Sequence, residues 1–321
     1  MISLVGCYSL TGRCTPKESV SQPRLARTHE SHHVKIAHSE TTDWTPPRTV
    51  RGGFLRFKCL LEGQEGSPNN FSLVVVHTDL SFKSPRHRHN FDQIRITLQG
   101  STNIGPRQNI EVGDVAYFPE GAYYGPQNQE LVGQSSLAMV IQFGGVSGNG
   151  YMSQRQMLAA QEAMQAAGRF EDGVYRREGA VAGERKNQDA YEAIWEHHNG
   201  RPIHYPKPQL SEPVQFPGQD PDWNPVEGAA GVSQRLLGDF TAHDVRIATL
   251  RLEPGASHTI PAIGQARLVF FTEGAGAIGP EARWAAHTAA HIEPHESVTL
   301  TAHDTSEALV LTMPGFDGAQ Q

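Results

Sequence analysis

Two histidines one residue apart, His87 and His89, open the stretch of this chain whose residue types and spacing suit chemistry best. They lie in Pro85-Arg86-His87-Arg88-His89-Asn90-Phe91-Asp92-Gln93, which runs into Ile94-Arg95-Ile96-Thr97-Leu98-Gln99-Gly100. Side chains alternate faces along extended backbone, so His87, His89 and Gln93 share one face, and two imidazoles at i and i+2 can grip a single ion. The same parity turns Arg95 and Thr97 inward and Ile94, Ile96 and Leu98 to the opposite face. Neutral imidazoles suit Fe, Cu, Ni, Zn or Mn, whereas a Gln amide oxygen is a weak neutral donor that leaves the charge of an ion uncompensated. Arg95 offers a planar fork matched to a carboxylate or phenolate.

A second segment, Gly113-Asp114-Val115-Ala116-Tyr117-Phe118-Pro119-Glu120-Gly121-Ala122-Tyr123-Tyr124, continues to Asn128. Together the two segments resemble the paired motifs of the cupin superfamily, with His87, His89, Gly100, Gly113, Pro119, Gly121 and Asn128 on the pattern. That resemblance implies an all-β fold of jelly-roll-like barrels. It also implies a metal centre in which Gln93 stands at the family's Glu ligand and Tyr124 at its third His. The expected site is therefore one divalent transition metal (Fe, Cu, Ni, Zn or Mn), weakly held by His87, His89 and Gln93, with Tyr124 and Arg95 catalytic. Tyr124 either ligates as a phenolate or stays protonated as a general acid. In the C-terminal half, Gly255, Pro261, Ile263, Arg267 and Gly274 repeat the first motif's spacing without its ligands. A second motif read over His295–Ser306 puts Thr301 at the Pro and Ser306 at the His position. The chain thus resembles a bicupin with one active barrel. Because bicupins resemble fused dimers, the Ile94, Ile96 and Leu98 face is expected between the barrels.

The elements that must position these residues follow from local pattern. Residues 1–47 are polar, without apolar period, and read as a flexible arm. Phe54–Leu60 and Phe71–Val76 read as a hairpin opening an N-terminal barrel over 48–150 that carries the site. Residues 151–230 form a helical and Pro-rich connection, with one helix capped by Ser153 and running to Gly168 and another over Asp189–His197. Pro202–Pro225 reads as a linker or wrapped segment, and strands resume in a degenerate C-terminal barrel over 231–321. The Met157 and Met164 stripe reads as core packing. His197 and His198 suit a helix C-terminus, and His287, His291 and His295 suit a solvated face or loop.

Composition sets the outer bounds. The chain has 321 residues, 38% hydrophobic, with 32 Gly and 21 Pro, which favours short elements joined by turns. A net charge of −7 leaves no footprint for nucleic acid or an anionic membrane. Cys7, Cys14 and Cys59 make no disulfide framework, and no apolar run is long enough for a membrane span. The expectation is a cytoplasmic protein acting on a small molecule, with a homodimer allowed but not required. The leading functional reading is a metal-dependent oxygenase-type enzyme in the N-terminal barrel. The alternatives are a non-oxidative lyase, isomerase or cyclase using Tyr124 and His, and a ligand-binding bicupin without catalysis.

Overall fold

Phe71–Thr78, Asp92–Gly100 and Ser136–Phe143 alternate between two buried faces and form the centre of a six-stranded antiparallel sheet. Leu55–Glu62 borders one side, and Val115–Phe118 followed by Val214–Phe216 the other. The computed structural model describes residues 34–47, 51–145, 147–149, 151–219, 222–240, 244–280 and 282–315. Two short strand pairs, Lys83–Ser84 with Gln127–Asn128 and Thr102–Gly105 with Gln108–Ile110, build the facing wall of the first barrel. Ile104, Ile110, Phe118 and Tyr124 join the two walls in one apolar cluster.

The second barrel repeats this order. Thr288–Ile292, Arg267–Glu273, Ser306–Thr312 and Val245–Leu252 lie side by side as do their counterparts in the first, and Val232–Phe240 extends the sheet. Gln93 pairs with Phe118 in one barrel, and Arg267 with Ile292 in the other. Backbone bonds repeat too: Gly113 N donates to Thr97 O and Gly121 N to His89 O, while His287 N donates to Phe271 O and His295 N to Ile263 O. The second motif of this barrel therefore runs from His287 through His295, not over His295–Ser306. Its two glycine positions hold histidines with φ of 62° and 64°, against 83° and 79° at Gly113 and Gly121, so a search for glycine misses them. His291, expected on a solvated face or loop, is buried in the strand Thr288–Ile292.

The outward faces of the two large sheets pack on each other. Ile94, Ile96 and Met139 share one apolar cluster with Leu268, Phe270 and Leu311, and Leu98 packs at its margin. Each such side chain contributes about 1.5–3 kcal/mol on burial, so this contact is a principal source of stability.

Two segments differ from their compositional reading. Lys35–His38, assigned to the flexible arm, is a strand paired with Thr288–Ile292, with Ile36 and Ala37 packed on the two apolar clusters. A few alternating residues suffice because that sheet edge supplies every backbone partner, a signal polar composition conceals. The reading of residues 1–33 lies outside the described residues. The connection is also more than helices and linker: Gly168–Glu171, Val174–Arg177 and Asn187–Asp189 form a small antiparallel sheet, and Val214–Phe216 joins the first barrel. Helix α1, Gln154–Met164, starts at a capping box made by Ser153 and Gln156. Helix α2, Ala190–Asn199, is capped by Asp189 and ends at Gly200 in the left-handed conformation, with His197 and His198 in its last turn. The helices pack through Ala160, Met164, Ile194 and Trp195 onto Phe91 and Tyr151 of the first barrel.

Candidate functional site

His87 and Tyr124 meet through an isolated antiparallel bridge, each backbone N–H donating to the other's carbonyl at 3.0 Å. Gly121 N donates to His89 O at 2.9 Å, which ties the turn Pro119–Gly121 to the histidine segment. These bonds place His87, His89, Gln93, Arg95 and Tyr124 around one cavity of about 180 Å³ inside the first barrel. The ring centroids of His87 and His89 are 5.0 Å apart, and those of His87 and Tyr124 4.3 Å. His89 stacks on Phe91 at 4.4 Å and meets Tyr191 of α2 edge-on at 5.1 Å.

Hydrogen bonds assign a role to each polar group. His87 Nδ1 lies 2.7 Å from the Pro85 carbonyl, which fixes the proton there and leaves the lone pair on Nε2. Arg95 Nη2 donates to the Tyr124 hydroxyl at 3.0 Å, and that hydroxyl lies 3.4 Å from His89 Nδ1. The Gln93 amide sits between Arg95 and Gln142. A guanidinium only donates, so the Gln93 carbonyl faces it, 2.8 Å from Nε and 2.9 Å from Nη2, and the amide nitrogen faces Gln142 at 2.8 Å. Gln93 thus anchors Arg95, in place of the expected oxygen donor to an ion. From Gln142 the polar chain continues to Tyr151 at 2.8 Å and to Gln154 of α1 at 3.1 Å.

Electrostatics separate the two arginines that face the cavity. Arg51 is paired with Asp189 at 2.9 Å, both largely buried. Arg95 faces the cavity but is withdrawn from bulk solvent, and burial pulls its guanidinium below the usual arginine range. No carboxylate of the described residues pairs with it. The two histidines are held neutral: burial pulls both well below the ordinary imidazole value. The Arg51 cation adds to this at His87, and His87 and then Arg51 at His89.

These residues do not fit a resident divalent metal. The site has two neutral imidazoles, an amide carbonyl already engaged by Arg95, and a guanidinium where an ion would need an anionic ligand. Among the described residues, no group of three or more His, Cys, Asp or Glu side chains is placed to hold an ion. Parity along the first motif pointed to His87, His89, Gln93 and Arg95, and the resemblance of the second motif pointed to Tyr124; all five line the cavity. Arg51, Tyr191 and Met157 were not read as site residues, because they reach the cavity from segments distant in sequence, as does Asp189, the partner of Arg51. Gln142 carried a usable signal, the inward phase of its strand.

No protein-family model and no curated protein matches this sequence. Similarity appears at the level of structure. The chain is similar to a Nostoc punctiforme protein provisionally described as a dioxygenase, with a TM-score of 0.60 and 12% identity over 92% of this chain and 90% of that one. It is similar to oxalate decarboxylase from Bacillus subtilis, with a TM-score of 0.50 and 12% identity over 87% and 76%. It is also similar to the bacterial pirin YhhW from Escherichia coli, solved with nickel(II), with a TM-score of 0.50 and 9% identity over 88% and 100%. These are cupin proteins, and the fold of this chain is a cupin fold. The repeated strand order gives the chain two such barrels. Among the described residues no helix is long and apolar enough to cross a membrane.

Proposed function

We propose that the first barrel binds a small organic carboxylate through Arg95 and relocates a proton on it, as a non-oxidative lyase or isomerase with Tyr124 as the acid. The observation that carries this reading is the Arg95 guanidinium, removed from bulk water, facing a cavity and unpaired with any described carboxylate. A buried charge without a counter-charge costs several kcal/mol, which an anion bound at Arg95 offsets. The bound carboxylate then lies beside the Tyr124 hydroxyl, whose oxygen accepts from Arg95 and whose proton is thereby turned away from the guanidinium. A neutral imidazole, His87 or His89, takes a proton from the carbon next to the carboxylate. Tyr124 either protonates a leaving group on the next carbon as that bond breaks and a double bond forms, or protonates the γ carbon of a β,γ-unsaturated acid as its double bond shifts, so neither form needs an oxidant.

A second reading, favoured by the His87 and His89 rings lying 5.0 Å apart, keeps the oxygenase expectation. In it His87 and His89 would hold a transition-metal ion only together with a substrate that brought the anionic ligand the site itself lacks. The names dioxygenase and nickel(II) among the structural neighbours agree with it. One experiment separates the two. Chelated protein, verified by elemental analysis, is incubated with short monocarboxylates in D₂O and solvent deuterium entering next to the carboxylate is followed by NMR. The acid/base reading expects exchange in the chelated protein and its loss in Tyr124→Phe. Exchange or oxygen uptake that appears only after a metal is restored supports the second reading instead.

A further inference from the structure

The cavity joins one charged cluster to a neutral lining, and that contrast names the class of molecule it suits. Arg95, Tyr124 and the two histidines stand together. The rest of the wall is uncharged apart from Arg51. Phe57, Val74, Val76 and Phe82 of the barrel and Met157 and Ile194 of the two helices give it apolar surface, interspersed with neutral amides and hydroxyls such as Asn103, Gln129 and Gln161. Of the two described guanidinia on the cavity, Arg51 is already neutralised by Asp189 at 2.9 Å, which leaves one cation for an incoming anion. A second carboxylate would meet only neutral groups and apolar wall, with no further unpaired cation among the described lining residues to offset its desolvation. The volume, about 180 Å³, is slightly more than the roughly 150 Å³ of an apolar cavity that holds benzene.

Met157 stands where this wall is most adaptable. Ala160 and Met164, on the same stripe of α1, are buried against Phe91 and Tyr151, while Met157 at the start of the stripe is only partly buried and faces the cavity. The sequence pattern treats all three as core. Methionine is unbranched and flexible, so its side chain fills whatever length the occupant leaves open. Ile194 of α2, by contrast, is fully buried and fixed.

We infer that the pocket selects a monocarboxylate with an apolar body of about the size of a phenyl or hexyl group, and that Met157 sets the longest body accepted. This rests on the reading of Arg95 as the carboxylate anchor.

The test is calorimetric binding of straight-chain monocarboxylates from butanoate to dodecanoate, and of the matching α,ω-dicarboxylates, to the full chain. Wild type should gain about fourfold in affinity per methylene up to a cutoff, and should bind each dicarboxylate at least tenfold more weakly than its monocarboxylate. Met157→Ala should move the cutoff about two methylenes longer and Met157→Phe should move it shorter. Arg95→Met should lose affinity across the whole series, with circular dichroism confirming its fold. A cutoff unmoved in both Met157 variants, with Arg95→Met still defective, overturns the role of Met157 alone. Equal affinity for mono- and dicarboxylates overturns the single-anion assignment. Unchanged binding in folded Arg95→Met overturns the anchor itself, and with it the functional reading above.

Discussion

The two barrels share strand order, register and turn bonds, yet one encloses a cavity and the other a packed interior. Where the first barrel has Arg95 and Thr97, the second has Val269 and Phe271, both fully buried in an apolar cluster with Leu252, Leu300 and Trp284. Phe271 stacks on Trp284 at 4.4 Å and 8°, occupying the space a ligand would need. His89 gives way to Ile263, which preserves the backbone bond to the following turn and discards the imidazole. At the position of Gln93 stands Arg267, only 2% exposed, whose guanidinium turns to the Glu296 carbonyl. The scaffold is therefore indifferent to function. A handful of inward side chains decides whether a barrel binds something or serves as ballast for its neighbour.

If the barrels are one folding unit joined by their outer sheets, the largest effect comes from their shared face. Ile96, 4% exposed and clustered with Phe270, changed to Asp should cost about 5 kcal/mol through burial of an unpaired charge. Urea titration should show both halves unfolding in a single weakened transition. A near wild-type midpoint would mean that the barrels do not depend on this contact.

Slightly smaller is the cost of hollowing the packed barrel. Phe271→Ala should lose about 4 kcal/mol by removing a buried ring and leaving a void. Carboxylate binding in the first barrel, measured in the remaining folded protein, should be unchanged. Lost binding at full folding would show that the two interiors are coupled.

A third difference is electrostatic. Asp92, at the edge of the first barrel, is pushed up to about 7 by burial, against the opposing hydrogen bonds from Glu120 N and the Tyr117 hydroxyl. The folded state therefore keeps a proton that the unfolded chain releases above its ordinary carboxylate value. Stability should fall as pH rises from about 4 to about 7, by on the order of 3 kcal/mol. Asp92→Asn should flatten that slope in denaturant titrations taken across the window. An identical slope in the variant would assign the proton elsewhere.

The smallest stability effect belongs to the site itself. Tyr124→Phe removes one hydroxyl that accepts from Arg95, a change of about 1 kcal/mol or less in thermal or chemical unfolding. Proton exchange on a bound carboxylate should nevertheless drop by about a hundredfold or more.

Much of this arrangement was legible from periodicity. Alternation alone set Gln93 and Arg95 inward and Ile94 and Ile96 outward, because the strand Asp92–Gly100 has no freedom in that choice once one face is buried. His87 and His89 precede that strand and are aimed at the cavity by the bridge to Tyr124 and the bond from Gly121 N. The spacing of Gly255, Pro261, Ile263 and Arg267 likewise pointed to the repeated strand order of a second barrel. What stayed hidden depends on partners distant in the chain. Lys35–His38 is a strand only because Thr288–Ile292 offers an edge, and Arg51 meets Asp189 from 138 positions away in the chain. The role of Gln93 depended on which of its amide atoms meets Arg95, a matter of side-chain chemistry in three dimensions that spacing does not encode. The misplaced second motif of the C-terminal barrel shows the same limit, since His287 and His295 occupy a backbone region where glycine is the usual signal.

Arg95, half-buried on the cavity wall and without a counter-charge among the described residues, is proposed above as a cation held ready for an organic anion. Equilibrium unfolding of wild type and Arg95→Met, each with and without a saturating apolar monocarboxylate, tests it most directly. Without ligand, the two proteins should lie within about 1 kcal/mol of each other, because the variant discards an uncompensated charge along with its hydrogen bonds. With ligand at about a hundred times its dissociation constant, wild type should gain about 2.7 kcal/mol and the variant nothing. A variant several kcal/mol less stable from the outset, and stabilised by the ligand as much as wild type, would make Arg95 a structural residue and contradict the account.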